Sequence, residues 1–289
     1  MRTAWAALWV GLAATAVQAA DLQVPAGCAP AAGAKAGFGG YADRIVHEKT
    51  GIELVLIPPG DFEMGRRDIV LVGRVNISRP FYLGKTPVTN AQYRRFLSSG
   101  YDGARDCDPA YDLHVRHLRG QSLMPAGDDY PVVFVSWQNA RAFCQWAGGL
   151  DLPTEAQWEY ACRAGTTTLY SFGDDPKDVD QYAWTMFNSK ASTQPVARLR
   201  PNAWGLYDMH GNVWEWCLDD YVGYRTMSRD ENAYQADRTV FLDGTITKAL
   251  RGGSWSNSLV YAVNSTARFN AAPEIAASDI GFRVTMRIQ

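Results

Sequence analysis

Asn202-Ala203-Trp204-Gly205-Leu206-Tyr207-Asp208-Met209-His210-Gly211-Asn212-Val213-Trp214-Glu215-Trp216 is the most distinctive stretch of this chain. It has neither a helical period nor steady alternation, and its tryptophans and glycines specify irregular backbone packed on aromatic anchors. Asp208 and Glu215 offer hard carboxylate oxygens, and a tight loop containing Gly211 can turn the backbone carbonyls of Gly211 and Val213 inward. Oxygen-only ligands suit Ca²⁺, although the spacing is not that of an EF-hand and a capped turn is the alternative. His210, inside the same block, reads as a hydrogen-bonding loop residue rather than a catalytic base.

Working outward, the stretch belongs to a body that can bury a large core. The chain has 289 residues, 47% hydrophobic and 20% charged, which excludes disorder and collagen-like repeats. Lys+Arg 28 against Asp+Glu 30 gives a net charge of -2, with no long basic run, so nucleic acid is not an expected partner. Arg2, an apolar run from Ala4 to Val17 and small Ala19 predict a signal peptide over 1–19, hence a periplasmic or secreted protein. No later stretch approaches the roughly 20 apolar residues of a membrane span.

Residues 20–45 are rich in Ala, Gly and Pro and read as an irregular leader. From 46 to 289 no linker interrupts the chain, which predicts one domain. Gly51–Ile57, the turn Pro58-Pro59-Gly60 and Asp61–Gly65 read as a β-hairpin. Thr89 with Gln92, Ser136, and Thr154 with Gln157 predict three helix starts, stopped by Gly100, Gly148-Gly149 and Gly165. Helical spacing turns Ala140, Phe143, Cys144 and Ala147 to one inward face, and Trp158, Ala161 and Cys162 to another. Five cysteines (Cys28, Cys107, Cys144, Cys162 and Cys217) leave at least one unpaired within the chain, and none forms a CxxC; a Cys28–Cys107 bridge is one conceivable pairing. His114 and His117 form a His-x-x-His near Asp112 and Cys107, but no third metal ligand is fixed by spacing, and a solvated loop is the preferred reading.

Three further blocks accompany the first: Ile57 to Gly65; Pro131 to Trp146 leading into Leu152 to Tyr160; and Arg251-Gly252-Gly253-Ser254-Trp255 with Gly281-Phe282-Arg283. In this order the four blocks resemble the formylglycine-generating enzyme, or sulfatase-modifying factor, family from about residue 50 to the end. The resemblance implies an α+β fold, a loop-rich variant of the C-type lectin fold with small antiparallel sheets. It also implies structural calcium on Asp208, Gly211, Val213 and Glu215, with Asp208 where the best-known member has Asn. A second calcium site of the family, near Tyr182-Ala183-Trp184, does not carry over.

The family's oxidation resembles copper-thiolate chemistry and needs two cysteines shortly after Gly-Gly-Ser. Residues 251 to 289 contain no cysteine, and Asn257 stands where the first thiolate would be. Soft Cu(I) needs thiolates, so no copper is expected. Trp214 and Ser254 match residues of the family's oxygen pocket. Cys144 and Cys162 match two half-cystines of the animal enzymes, whose partners near the C-terminus are replaced, at about Ser265 and at Val284. The polar stretch Ser256 to Asp279, with Asn257, Asn264 and Arg268, overlies the family's substrate cleft and reads either as a recognition surface or as a solvated closing loop.

Two functions follow as expectations. One is binding of a protein partner or small ligand in the periplasm, as in relatives that resemble accessory regulators of type VI secretion. The other is a periplasmic oxidase or tailoring enzyme, of the kind implicated in maturing pyoverdine-type siderophores.

Overall fold

The computed structural model describes residues 22–66, 70–105, 127–221, 246–258 and 262–288. His114, His117, Asp112 and Cys107 lie outside them, as does the signal peptide 1–19. A five-stranded sheet runs in the order β1 (Cys28–Pro30), β2 (Arg44–His47), β3 (Ile52–Ile57), β6 (Phe81–Gly84) and β13 (Thr285–Arg287), antiparallel throughout. Pleating sends Leu54, Leu56 and Tyr82 to one core and Val55, Ile57, Phe81 and Leu83 to another. Both faces of the central strands are therefore buried.

That double burial overturns the hairpin expected from Gly51 to Gly65. A nearly continuous apolar strand such as β3 needs partners on both edges and cover on both faces, and it takes them from β2 and β6. After Pro58-Pro59, β4 (Gly60–Arg66) instead pairs with β5 (Val70–Ile77) as a separate ribbon. Residues 20–45, expected to be irregular, contribute β1 to the sheet edge, where Cys28 pairs with His47.

Three helices start where their caps predict. Thr89 and Gln92 close a capping box on α1 (Asn90–Leu97), followed by the short α2 (Asp102–Arg105). Ser136 accepts from the Asn139 amide at the start of α3 (Trp137–Ala147), and Thr154 with Gln157 boxes α4 (Glu155–Arg163). Helices α1 and α3 cover the first core through Tyr93, Phe96, Phe143 and Trp146; Tyr93 and Phe143 stack at 5.7 Å, and Phe282 meets Phe143 edge-on. Helix α4 covers the second core with Trp158, Ala161 and Cys162, but all nine of its residues are buried.

The third layer is a four-stranded sheet in the order β11 (Arg268–Ala271), β10 (Lys248–Arg251), β9 (Trp214–Asp220), β12 (Ile280–Gly281). β12 runs parallel to β9, and the small pair β7 (Ala183–Trp184) and β8 (His210–Gly211) is also parallel. The architecture is thus α+β with small, mainly antiparallel sheets. Among the described residues no helix is long and apolar enough to cross a membrane.

Candidate functional site

The distinctive block lies between β7, β9 and the C-terminal segment, and its backbone explains its residue types. Gly211 has φ +73°, and a Cβ there would come within 2.2 Å of the Trp184 carbonyl oxygen; only glycine lets the two segments approach so closely. Gly253 is held in the same way, with φ +77° and a virtual Cβ 2.2 Å from the Ala262 oxygen.

Glu215 is fully buried, and its carboxylate accepts from Arg283 Nε at 2.6 Å, Arg283 Nη2 at 2.7 Å and Trp158 Nε1 at 2.7 Å. The same guanidinium donates to the backbone oxygens of Gly84, Tyr207 and Asp208. The Asp208 carboxylate accepts from the Ala197 amide at 2.8 Å, with Asn212 Nδ2 at 3.4 Å, and burial pushes its carboxyl up to about 6. Hard oxygens at Asp208 and Glu215 have the chemistry calcium takes, but Glu215 is already engaged by three protein donors. Gly211 and Val213, the other two expected ligands, are buried beside them.

His210 is a buried hydrogen-bonding residue, as its setting in the sequence suggests. Its Nε2 accepts the Ser171 amide at 3.2 Å, which leaves Nδ1–H to donate to the Val263 oxygen at 2.7 Å. Burial lowers its pKa to about 4, so the ring is neutral.

Of the residues expected to face a ligand, the structure divides one set from another. Arg268 does not reach into a cleft: its guanidinium is buried, donates to both oxygens of Glu155 at 2.6 and 2.5 Å, and lies over the Tyr221 ring. It belongs to a buried network in which Arg251 joins Glu155 to Glu159, and Glu159 holds Arg163. Asn264 is likewise buried, its Oδ1 closing a turn on the amide and hydroxyl of Thr266. Arg268 is turned inward because β11 pairs with β10 and Glu155 on α4 takes its charge.

Ser254, Asn257 and Trp214 do gather at one place. Asn257 Oδ1 accepts from the Ser254 amide at 2.7 Å, closing the turn after β10, and lies 3.2 Å from the Ser254 hydroxyl oxygen. Ser254 Oγ donates to Asp279 Oδ2 at 2.8 Å, and Ser256 Oγ reaches the same oxygen at 2.9 Å. Trp214 donates its amide to the Asp279 backbone oxygen, and its ring lies 5.7 Å from that of Phe269. Asp279 and Ser256 are thus site residues that residue spacing could not single out, since they meet across more than twenty residues.

The Ser254–Asn257–Asp279 cluster holds hydroxyl, amide and carboxylate oxygens, and among the described residues no thiol contacts it. The described cysteines, Cys28, Cys144, Cys162 and Cys217, are all free and buried. Burial pushes the Cys28 thiol up to about 11, those of Cys144 and Cys162 up to about 12, and that of Cys217 well above its ordinary value. Ser265 is fully buried near Cys162, whose Sγ donates to the Met209 oxygen at 3.6 Å, and Cys144 lies in the same core cluster as Val284; Ser265 and Val284 are the two positions from which half-cystine partners are missing. The residues present therefore do not fit a copper-thiolate centre.

Residues 43–288 match the Sulfatase-modifying factor enzyme 1-like domain. The chain belongs to this family. The formylglycine-generating enzyme of Mycobacterium tuberculosis is 30% identical to it over 80% of this chain and 96% of its own length. The inactive C-alpha-formylglycine-generating enzyme 2 of Bos taurus is 29% identical over 80% of this chain and 87% of its own. Among solved structures, PvdO from Pseudomonas aeruginosa superposes with a TM-score of 0.68 at 26% identity, covering 83% of this chain and 96% of that one. The matched region includes Trp214 and Ser254, and its stretch from Arg251 to the end contains no cysteine.

Proposed function

We propose that this protein acts by binding a protein partner or ligand at the Ser254–Asn257–Asp279 cleft and does not oxidise cysteine to formylglycine. One observation carries the reading: the side chain in the first thiolate's place, Asn257, is an amide folded back to close its own turn, and no cysteine follows Arg251. An amide and the Ala262 methyl cannot hold Cu(I) or form a mixed disulfide with substrate. Under this reading the scaffold is a lectin-like C-type variant used for recognition, secreted or periplasmic as residues 1–19 suggest, and an accessory regulator of type VI secretion is the setting proposed for it.

The test is oxygen uptake and aldehyde formation with a cysteine-containing sulfatase-type peptide, with copper supplied. No turnover is expected; conversion of the peptide would overturn the reading. A second reading, a tailoring enzyme of the kind implicated in pyoverdine-type siderophore maturation, is favoured by the likeness to PvdO. Oxygen uptake on a siderophore precursor would support it over the first.

Calcium on Asp208, Gly211, Val213 and Glu215 belongs to the proposal as a structural cofactor. A ligand bound only by the folded state raises stability by RT ln(1 + [L]/Kd), about 2.7 kcal/mol at 100 Kd. Melting with calcium and with chelator measures it, and superimposable curves would remove calcium from this site.

A further inference from the structure

Asp279 differs from the ion-paired carboxylates in this half of the molecule. Glu155, Glu159, Glu215 and Asp220 are buried, and each is paired with Arg or Lys. Asp279 is partly exposed, and its contacts among the described residues are two serine hydroxyls on one oxygen, Oδ2. Hydroxyls orient a carboxylate without neutralising it, so the cleft presents an aimed negative charge to solvent.

Exposed apolar side chains lie on segments tied to the same cluster. Six large hydrophobic side chains are exposed among the described residues, and four sit on segments tied to this cleft: Met186 (48%), Phe187 (76%), Phe269 (52%) and Ile275 (44%). The Met186 amide donates to the Asn257 oxygen, which fixes the 186–187 segment on one side. Phe269 lies against Trp214 on another. Ile275 belongs to the segment that Phe134 and Trp137 hold through the Ala277 and Pro273 oxygens. Exposed apolar side chains on segments joined to one exposed carboxylate's cluster make a candidate protein-binding face with a charged member.

We propose that Asp279, oriented by Ser254 and Ser256, anchors the cationic side chain of a Lys or Arg carried by a partner protein segment, whose apolar neighbours pack on Phe187, Met186, Phe269 and Ile275. This rests on the binding reading above and names the chemistry of the partner. The charge complements the cation, and the exposed apolar rim is what distinguishes a protein segment from a free amine. Serine hydroxyls leave Asp279 Oδ1 for a charge-assisted hydrogen bond.

Calorimetric titration with the blocked peptides Ac-Leu-Arg-Leu-NH2 and Ac-Leu-Gln-Leu-NH2 tests it on the full protein. The Arg peptide should bind at least about tenfold tighter, the size expected of one charge-assisted hydrogen bond, and rising salt should erode that advantage. Asp279→Asn keeps an acceptor for both serines and should bring the Arg peptide down to the level of the Gln peptide. Phe187→Ala should weaken both alike. If Asp279→Asn fails to fold, the peptide ratio and its salt dependence in the unaltered protein still decide. Equal binding of the two peptides overturns the cationic anchor and leaves the binding reading standing. Binding of neither up to millimolar concentration also overturns the anchor, whereas oxygen-dependent consumption of a peptide overturns the binding reading itself.

Discussion

Arg283→Met isolates the interaction that joins the C-terminal segment to the rest of the fold. The substitution removes the guanidinium and keeps an apolar stem. Glu215 then loses two of its three donors and keeps only Trp158, while the carbonyls of Gly84, Tyr207 and Asp208 lose a shared donor. Both side chains are fully buried, so water does not replace what is lost. Breaking a buried pair from one side costs about 3–5 kcal/mol, against a total stability of roughly 5–15 kcal/mol for a domain. The urea midpoint should fall accordingly, with the slope of the transition unchanged. The double variant Arg283→Met, Glu215→Leu should recover much of the loss, because the uncompensated buried charge is gone. A single variant that costs less than about 1 kcal/mol, or a double variant no better than the single, would refute the assignment of Arg283 as the cation of Glu215. The same logic makes Glu215→Ala a poor test of calcium, since it strands Arg283 whether or not a metal binds.

Burial and the nearby Glu155 charge push the Asp219 carboxyl up to about 7, and Asp208 lies at about 6, both above the ~4 of an unfolded chain. The folded state holds these protons more tightly, so their stabilising contribution is complete below about pH 4 and is lost as pH rises through 6 to 7. Asp219→Asn retains an acceptor for the Glu155 amide and should flatten that decline; urea midpoints at about pH 5 and pH 8 measure it, and an unchanged difference between them would argue against Asp219. Ser265→Cys should form a disulfide with Cys162, which it already contacts. Closing a loop of about 100 residues is worth up to roughly 4.7 kcal/mol in the chain-entropy view. Thiol counts and non-reducing melting curves check it, and a free Cys162 after oxidation would show the two positions to be misaligned.

Much of this was open to a reader of the sequence. Helix starts at Thr89, Ser136 and Thr154 are local events, settled by a side chain and an amide three residues away, and they need no tertiary knowledge. The absence of cysteine after Gly252-Gly253-Ser254 is likewise a property of composition. Strand pairing was different: β3 has the same apolar run whether its partner is β4 or β6, and only the burial of both faces chooses β6.

The inward or outward direction of a polar residue was also beyond the sequence. Asn257, Asn264 and Arg268 look alike in a polar stretch, yet Arg268 meets Glu155 from a distance of 113 residues along the chain and Asn264 closes a turn. Asp279 reached the cleft only because parallel pairing of β12 with β9 brings it beside Ser254 and Trp214. Local chemistry, such as caps, glycines and missing thiols, is fixed by neighbours in sequence; the direction of a charge depends on which distant counter-charge the packed layers bring to it, and that is decided by the tertiary structure.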